Sequence, residues 1–286
     1  MMTESGACIG IVCGSGTLPF AVADAVIARG ARLILFAIRG FADPSRVSRY
    51  PHHWVSMGEV GRLQKLLRKE DCNNVALIGG LLRPALREVR FDFGTLRALP
   101  KILRAFRGGD DHLISTLSKI FEDKGIRILG IQDIAPEILS PQGALTALKP
   151  DADAMSDIAL GQSVLHAIGP YDIGQAAIVI DGHVVAIEGA EGTDGLLARV
   201  VQMRASRRIR GREGRGVLVK VPKPGQDLRF DLPTIGPQTI AGAKAANLAG
   251  IAVAAHLSLL AEAQETIAAA EKAGLFVFGL AREAGA

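Results

Sequence analysis

The sequence is poor in aromatic side chains: 10 Phe, 2 Tyr and 1 Trp make up 5% of 286 residues. Its core must therefore be built mainly from Ala, Leu, Ile and Val. Cysteine is sparse too. Cys8, Cys13 and Cys72 give an odd count with no paired spacing, and a reducing compartment fits. No uninterrupted run of about eighteen apolar residues occurs, so no segment is expected to span a membrane. The first residues lack a basic leader followed by an apolar block, so no signal peptide is expected and a cytoplasmic protein is. There is no internal repeat and no low-complexity tract. HExxH, CxxC and a Ser-His-Asp order are all missing, and the six histidines are scattered apart from His52-His53, so they form no legible metal site.

What is present is an ordinary globular balance, 49% hydrophobic and 22% charged, with a net charge of +4. The basic excess is local. From Arg204 to Arg215 there are six arginines against Glu213. No aromatic residue interrupts that run, so it offers no base-stacking platform, and nucleic acid is not expected as a partner. Two readings stay open for it: a solvated face, or a loop beside an anionic membrane surface.

The length predicts two domains. In the first half, continuous apolar runs at 8–12, 33–38, 75–78 and 126–131 read as strands. Helical patterns lie between them at 20–29, 59–69 and 110–124. Continuous apolar strands separated by helices indicate a parallel sheet covered on both faces. The fold class expected is therefore α/β in two domains. A Rossmann-like N-terminal domain spans 1–133, a linker spans 134–150, and a second α/β domain spans 151–286. The linker is placed where Pro136, Pro141, Gly143 and Pro150 fall without an apolar period. In the second half, strands are expected at 176–180, 184–188, 217–221, 251–253 and 275–279, and helices at 152–167, 240–249 and 259–273.

Five places could carry chemistry. The turn Gly14-Ser15-Gly16 joins a strand to a helix, where backbone amides can approach a phosphate. As a dinucleotide fingerprint it is incomplete: Pro19 stands in the third glycine's place, and Arg39 stands where an acid would bind ribose. Asp110-Asp111, after Arg107-Gly-Gly, reads either as a helix cap or as a cation or hydroxyl site. Gly79-Gly80 with Arg83 ends the third strand, at the edge where open parallel sheets bind ligands. Glu188-Gly-Ala-Glu-Gly-Thr-Asp194 is a strand-to-helix turn, suited to capping or to a nucleotide or metal contact. Finally, residues 220–239 concentrate Lys220, Lys223, Asp227, Arg229, Asp231, Thr234 and Thr239 among prolines and glycines. Cations suit phosphate oxygens and carboxylates suit a hard cation, while a polar surface connection is the plain alternative.

Taken together these segments resemble the LpxI-type UDP-2,3-diacylglucosamine pyrophosphatases of lipid A biosynthesis. The resemblance runs through Gly10-Ile-Val-Cys-Gly-Ser-Gly-Thr-Leu-Pro19, Arg39-Gly-Phe-Ala-Asp-Pro44, Gly108-Gly-Asp-Asp111 and Asp172-Ile-Gly-Gln175. It continues in Glu188-Gly-Ala-Glu-Gly-Thr-Asp194 and in Lys223-Pro-Gly-Gln-Asp-Leu-Arg-Phe-Asp-Leu-Pro-Thr-Ile-Gly236. It implies Mg2+-dependent hydrolysis of the pyrophosphate bond, giving UMP and 2,3-diacylglucosamine 1-phosphate. It also implies two domains with the lipid-linked UDP-sugar between them, often in a homodimer. Asp231 matches a carboxylate essential in the family. On that basis Asp231, Asp227 and Lys223 are the expected catalytic residues, and Asp231 with Asp194 the expected metal ligands. Substrate contacts are expected from Gly14, Ser15, Gly16, Leu18, Arg83, Asp111, Gln175, Thr193, Asp194, Lys220, Gln226, Arg229 and Thr234. A bilayer-resident substrate implies peripheral attachment to the inner face of the cytoplasmic membrane. Two other readings are an NADP-dependent oxidoreductase, with Arg39 at a 2′-phosphate, and a non-catalytic nucleotide sensor.

Overall fold

The computed structural model describes residues 7–80, 118–119, 121–209 and 214–281. The chain divides into two compact units, 1–137 and 138–286, so the division falls inside the stretch expected to link the domains.

The first unit is built on a five-stranded parallel sheet. Its strands are β1 (Cys8–Cys13), β2 (Arg32–Ile38), β3 (His52–Val55), β4 (Asn74–Ile78) and β5 (Arg127–Ile128), in the order β3-β2-β1-β4-β5. The first three helices are α1 (Leu18–Ala28), α2 (Pro44–Val47) and α3 (Val60–Lys69), with α4 (Ile131–Ile134) after β5. Ile11, Leu35 and Phe36 are fully buried, as expected for central strands covered on both faces. The strand order is that of a Rossmann-like half, and it reverses between β1 and β4. There the loops after the two strands meet. Ser15 and Gly80 exchange backbone hydrogen bonds of 2.9 and 3.1 Å, and Ser15 Oγ donates to Gly80 O at 2.9 Å. A Cβ on Gly14 would sit 2.7 Å from Gly80 O, and one on Gly79 2.6 Å from Ser15 O. These glycines are required by the contact between two backbones.

Three sequence expectations change here. The run 126–131 is only a two-residue strand followed by a short helix, because Gly130 N–H is capped by the Asp133 carboxylate at 2.9 Å. Strand β3 was not foreseen, since His52 and His53 hide the apolar signal on an edge. Cys8 and Cys72 form a disulfide with Cα atoms 4.9 Å apart. Sequence spacing gave no hint of that pair, but parallel pairing of Ile9 with Asn74 brings the two starts together. Cys13 is free and buried, and burial pushes its thiol up to about 11. Most of the helix expected at 110–124, with Arg83, Asp110 and Asp111, lies outside the described residues.

The second unit holds β6 (Gly143–Ala144), α5 (Ala152–Ile168), β7 (Ala176–Ile180), β8 (His183–Ile187), α6 (Gly192–Ala205) and β9 (Val217–Lys220). It continues with β10 (Thr234–Ile235), α7 (Pro237–Ala245), β11 (Gly250–Ala254), β12 (Leu259–Leu260), α8 (Ala263–Ala273) and β13 (Phe276–Leu280). Six strands form a mixed sheet in the order β6-β13-β11-β9-β7-β8, and β10 pairs with β12 apart from it. One face packs on α5: Ala154, Ile158 and Leu165 meet Ala177, Val217, Val219 and Ala252. The other face carries Ile178, Leu218, Ile251 and Val277 against Leu196, Leu197, Ile240 and Ala270 of α6, α7 and α8. Strand alternation does this sorting, since successive side chains point to opposite faces. The helix expected at 259–273 is in fact β12, a turn and then α8.

The β7–β8 hairpin turns at Asp181 and Gly182, both with positive φ (48° and 75°), as a two-residue hairpin turn needs. The Asp157 carboxylate, buried on α5, accepts from both turn N–H groups at 3.1 and 2.7 Å. Asp157→Ala is therefore expected to cost roughly 2–3 kcal/mol, since two amides lose a charged acceptor. Urea unfolding checks this, and a loss below about 0.5 kcal/mol would mean water replaces the carboxylate.

Candidate active site

Lys220 is the last residue of β9. It lies two positions after Leu218, so alternation turns it toward the face that carries α6, α7 and α8. Only 7% of it is exposed. Its Nζ donates to Thr193 Oγ1 at 2.8 Å and to Thr234 O at 3.0 Å. An ammonium has three N–H donors. Among the described residues the third has no acceptor. Behind Lys220 a chain of bonds continues: Thr193 Oγ1 donates to Glu188 Oε1 at 2.6 Å, and Gln175 N–H donates to Glu188 Oε2 at 3.0 Å. Burial holds the Lys220 pKa below the usual lysine range, and the negative charges of Glu188, Asp231 and Asp194 oppose that shift.

Lys220 and Thr234 line a cavity of about 540 Å³ whose other walls are the beginnings of three helices. Residues 191–194 open α6, residues 236–239 open α7, and Ala261 and Glu262 precede α8. The strands β8, β9 and β11 lead into these walls from their carboxyl ends. That edge is where open α/β sheets receive ligands. Unsatisfied N–H groups and the helix dipoles make such a place favourable to an anion. Acids moderate it: Glu191 pairs with Arg199 at 2.8 Å, and Asp194 Oδ2 accepts from Gln238 Nε2 at 3.0 Å.

The loop from β9 to β10 is organised by Gln226. Its Oε1 accepts from Lys223 N–H at 2.8 Å, and its Nε2 donates to Asp231 O at 3.0 Å and Asp231 Oδ2 at 2.5 Å. Lys223 Nζ pairs with Asp172. Arg229 grips Asp227 with two nitrogens, Nε at 2.9 Å and Nη2 at 2.7 Å, while its guanidinium lies 5.2 Å from the Phe230 ring centre. The hydrogen bonds from Arg229 hold the Asp227 carboxyl below its usual range.

The structure thus brings Thr193, Asp194, Lys220 and Thr234 to one cavity, with Asp231 near enough to act on the Lys220 charge. Gln175 stands behind it, with its side-chain Oε1 buried and, among the described residues, without a hydrogen-bond partner. Lys223, Gln226, Asp227 and Arg229 make the adjoining loop. Gly14, Ser15, Gly16 and Leu18 belong to the first unit, at the switch point between β1 and β4. Sequence reasoning did not single out Glu188, Gln238 or Glu262. For Glu262 the signal was the strand and turn at 259–262, which the expected long helix had absorbed; Gln238 lies at the start of α7, within the 220–239 segment. The arginine run is partly structural. Arg204 donates to the carbonyls of Arg215 and Asn247, and Arg215 pairs with Asp151 and Asp153.

Among the described residues no group of three or more His, Cys, Asp or Glu side chains is placed to hold a metal ion. The donor set is of another kind. Asp194 and Asp231 both act on the charge of Lys220 at the cavity, and Mg2+ commonly binds through one or two carboxylates with substrate phosphates.

A pair of α/β units, the second with a buried lysine facing the starts of three helices, defines a class of protein that handles phosphorylated compounds. Comparison with known families narrows the class. The LpxI N-terminal domain matches residues 8–138 and the LpxI C-terminal domain matches residues 141–278. A protein of Caulobacter vibrioides named UDP-2,3-diacylglucosamine pyrophosphatase LpxI is 40% identical over 272 residues, 95% of this chain and 97% of the relative. The chain belongs to the LpxI family.

The Asp227–Arg229 clamp predicts a pH dependence. A carboxyl with a lowered folded pKa adds stability above its unfolded pKa of about 3.9, and loses it as pH falls through the folded value. Both side chains are 33% exposed, so solvent screening limits the term to below about 1 kcal/mol. Asp227→Asn is expected to be less stable than wild type at neutral pH by that amount. The difference should shrink in urea unfolding at about pH 3. A difference that grows in acid would contradict the clamp.

Proposed function

We propose that this protein hydrolyses the pyrophosphate bond of UDP-2,3-diacylglucosamine to UMP and 2,3-diacylglucosamine 1-phosphate, a step of lipid A synthesis, and that it uses Mg2+. The relative's name supports the substrate and reaction. The observation that carries the reading onto this chain is Lys220: a buried ammonium on the cavity wall with two N–H groups committed to Thr193 and Thr234 and, among the described residues, no acceptor for the third. A phosphoryl oxygen completes that set, and the starts of α6 and α7 add backbone donors.

In hydrolysis, water adds to one phosphorus and the bond to the bridging oxygen breaks. The hydroxyl of the water ends on one product, and its proton is released or passes to the other. Asp231, held by Gln226, orients that water. Lys220 neutralises charge on the phosphoryl oxygens, with Lys223 and Arg229 acting from the loop. Asp231 and Asp194 would hold Mg2+, which supplies charge neutralisation on the diphosphate. In the first unit, the loop of Gly14, Ser15 and Gly16 keeps its proposed nucleotide contact. Its exposed point is Gly16, with φ of +95° and open space around it.

We place the protein in the cytoplasm, attached peripherally to the inner membrane and working as a homodimer. Among the described residues no helix is long and apolar enough to cross a membrane, so a lipid substrate would be met at the surface. The oxidoreductase reading gains nothing from the structure, since the Arg39 guanidinium lies over the Trp54 ring, 5.7 Å from its centre.

Purified protein is expected to release UMP from UDP-2,3-diacylglucosamine in detergent with Mg2+, and to stop in EDTA. Asp231→Ala should lower the rate by about a hundredfold or more while the fold survives. No release by folded wild-type protein sinks the reaction. Normal release by a folded Asp231→Ala variant sinks the role of that carboxylate alone.

A further inference from the structure

Glu188 is not among the residues lining the cavity, yet it is 8% exposed and makes no direct salt bridge among the described residues. A buried carboxylate in that position calls for a reason. Its backbone is fixed: Glu188 N–H donates to Ala176 O at 2.8 Å, and a Cβ on Gly174 would sit 2.3 Å from Glu188 O. One carboxylate oxygen is taken by Gln175 N–H and the other by the Thr193 hydroxyl.

The direction of these bonds has a consequence. An ionised carboxylate only accepts. The single proton of Thr193 therefore points to Glu188, and the lone pairs of Oγ1 are left for the Lys220 ammonium. The Thr234 carbonyl takes a second proton of the ammonium and fixes its rotation. With two protons held, the third has one direction available.

We propose that Glu188 is a positioning residue for the reaction: through Thr193 it orients the Lys220 ammonium so that one N–H is presented to a phosphoryl oxygen in the cavity. Glu188 itself touches no substrate. Its negative charge also balances Lys220 in a place where burial disfavours a cation. This inference rests on the reading of Lys220 as a phosphate donor.

Glu188→Gln is the informative change because it keeps size and one oxygen. That oxygen stays on Gln175 N–H, so an amide NH₂ faces Thr193 Oγ1. The amide then competes with Lys220 for the lone pairs, and the counter-charge is gone. UMP binding by calorimetry and UMP release are measured for wild type, Glu188→Gln, Lys220→Met and the double variant, with circular dichroism to confirm folding. Glu188→Gln is expected to lower kcat/KM by about ten- to a hundredfold, in keeping with loss of a hydrogen bond to a charged group. In the Lys220→Met background it should add less than about twofold, because residues that act through one another are not additive. UMP affinity should follow the same pattern.

A full, independent loss in the double variant overturns the proposal, since a merely structural Glu188 would add its cost to any background. Unchanged binding and turnover in Glu188→Gln overturn it as well. If Lys220→Met alone changes neither quantity, the reading of Lys220 falls first, whatever Glu188 does. Should Glu188→Gln fail to fold, Thr193→Val with Lys220→Met forms the same cycle. Non-additivity there supports the relay, and additivity removes it.

Discussion

The second domain depends on keeping a positive charge inside the end of a sheet. Strand alternation puts Lys220 where a core residue would stand, in line with Leu218 and under three helices. Removing an ammonium from water is costly, and the helix starts beside it add positive potential rather than relieving it. The surrounding acids answer this only in part: Glu188 from behind, Asp194 from the cavity wall and Asp231 from the adjoining loop. Other acids nearby are already engaged, as with Glu191 and Arg199. Under the proposed function, a phosphoryl oxygen in the cavity is the further partner that this ammonium meets.

The fold was legible where physics is local. In the first domain, central strands such as Leu33–Ile38 within β2 announce themselves because burial on both faces demands a continuous apolar run. Edge elements gave weaker signals. β3 is written in His52, His53 and Trp54, which face solvent on one side and read as loop. The same holds for β6, β10 and β12, strands of two residues each whose pairing is decided by distant partners. Tertiary register decided the disulfide too: Cys8 and Cys72 are 64 residues apart and meet because β1 and β4 run side by side.

The site divided in a similar way. Thr193, Asp194, Lys220 and Thr234 could be named from sequence because they sit in loops crowded with charge and glycine. Their assembly could not, since it needs β8 and β9 to lie on the same side of the sheet edge with β7 between them. Glu188 was visible as one letter of a motif. Its bonds to Gln175 and Thr193 require the β7–β8 pairing to exist first. The Asp227–Arg229 grip joins residues two apart in an irregular loop, where no periodicity points to a contact.

One feature of the first domain reaches further than its size. Ser15 and Gly80 are bonded to each other through both backbones, and the glycines on either side leave no room for a side chain to pry them apart. The exits of β1 and β4 are therefore a clasp: two turns 65 residues apart in the chain hold each other by three hydrogen bonds between Ser15 and Gly80, at a point where neither neighbouring glycine could carry a side chain.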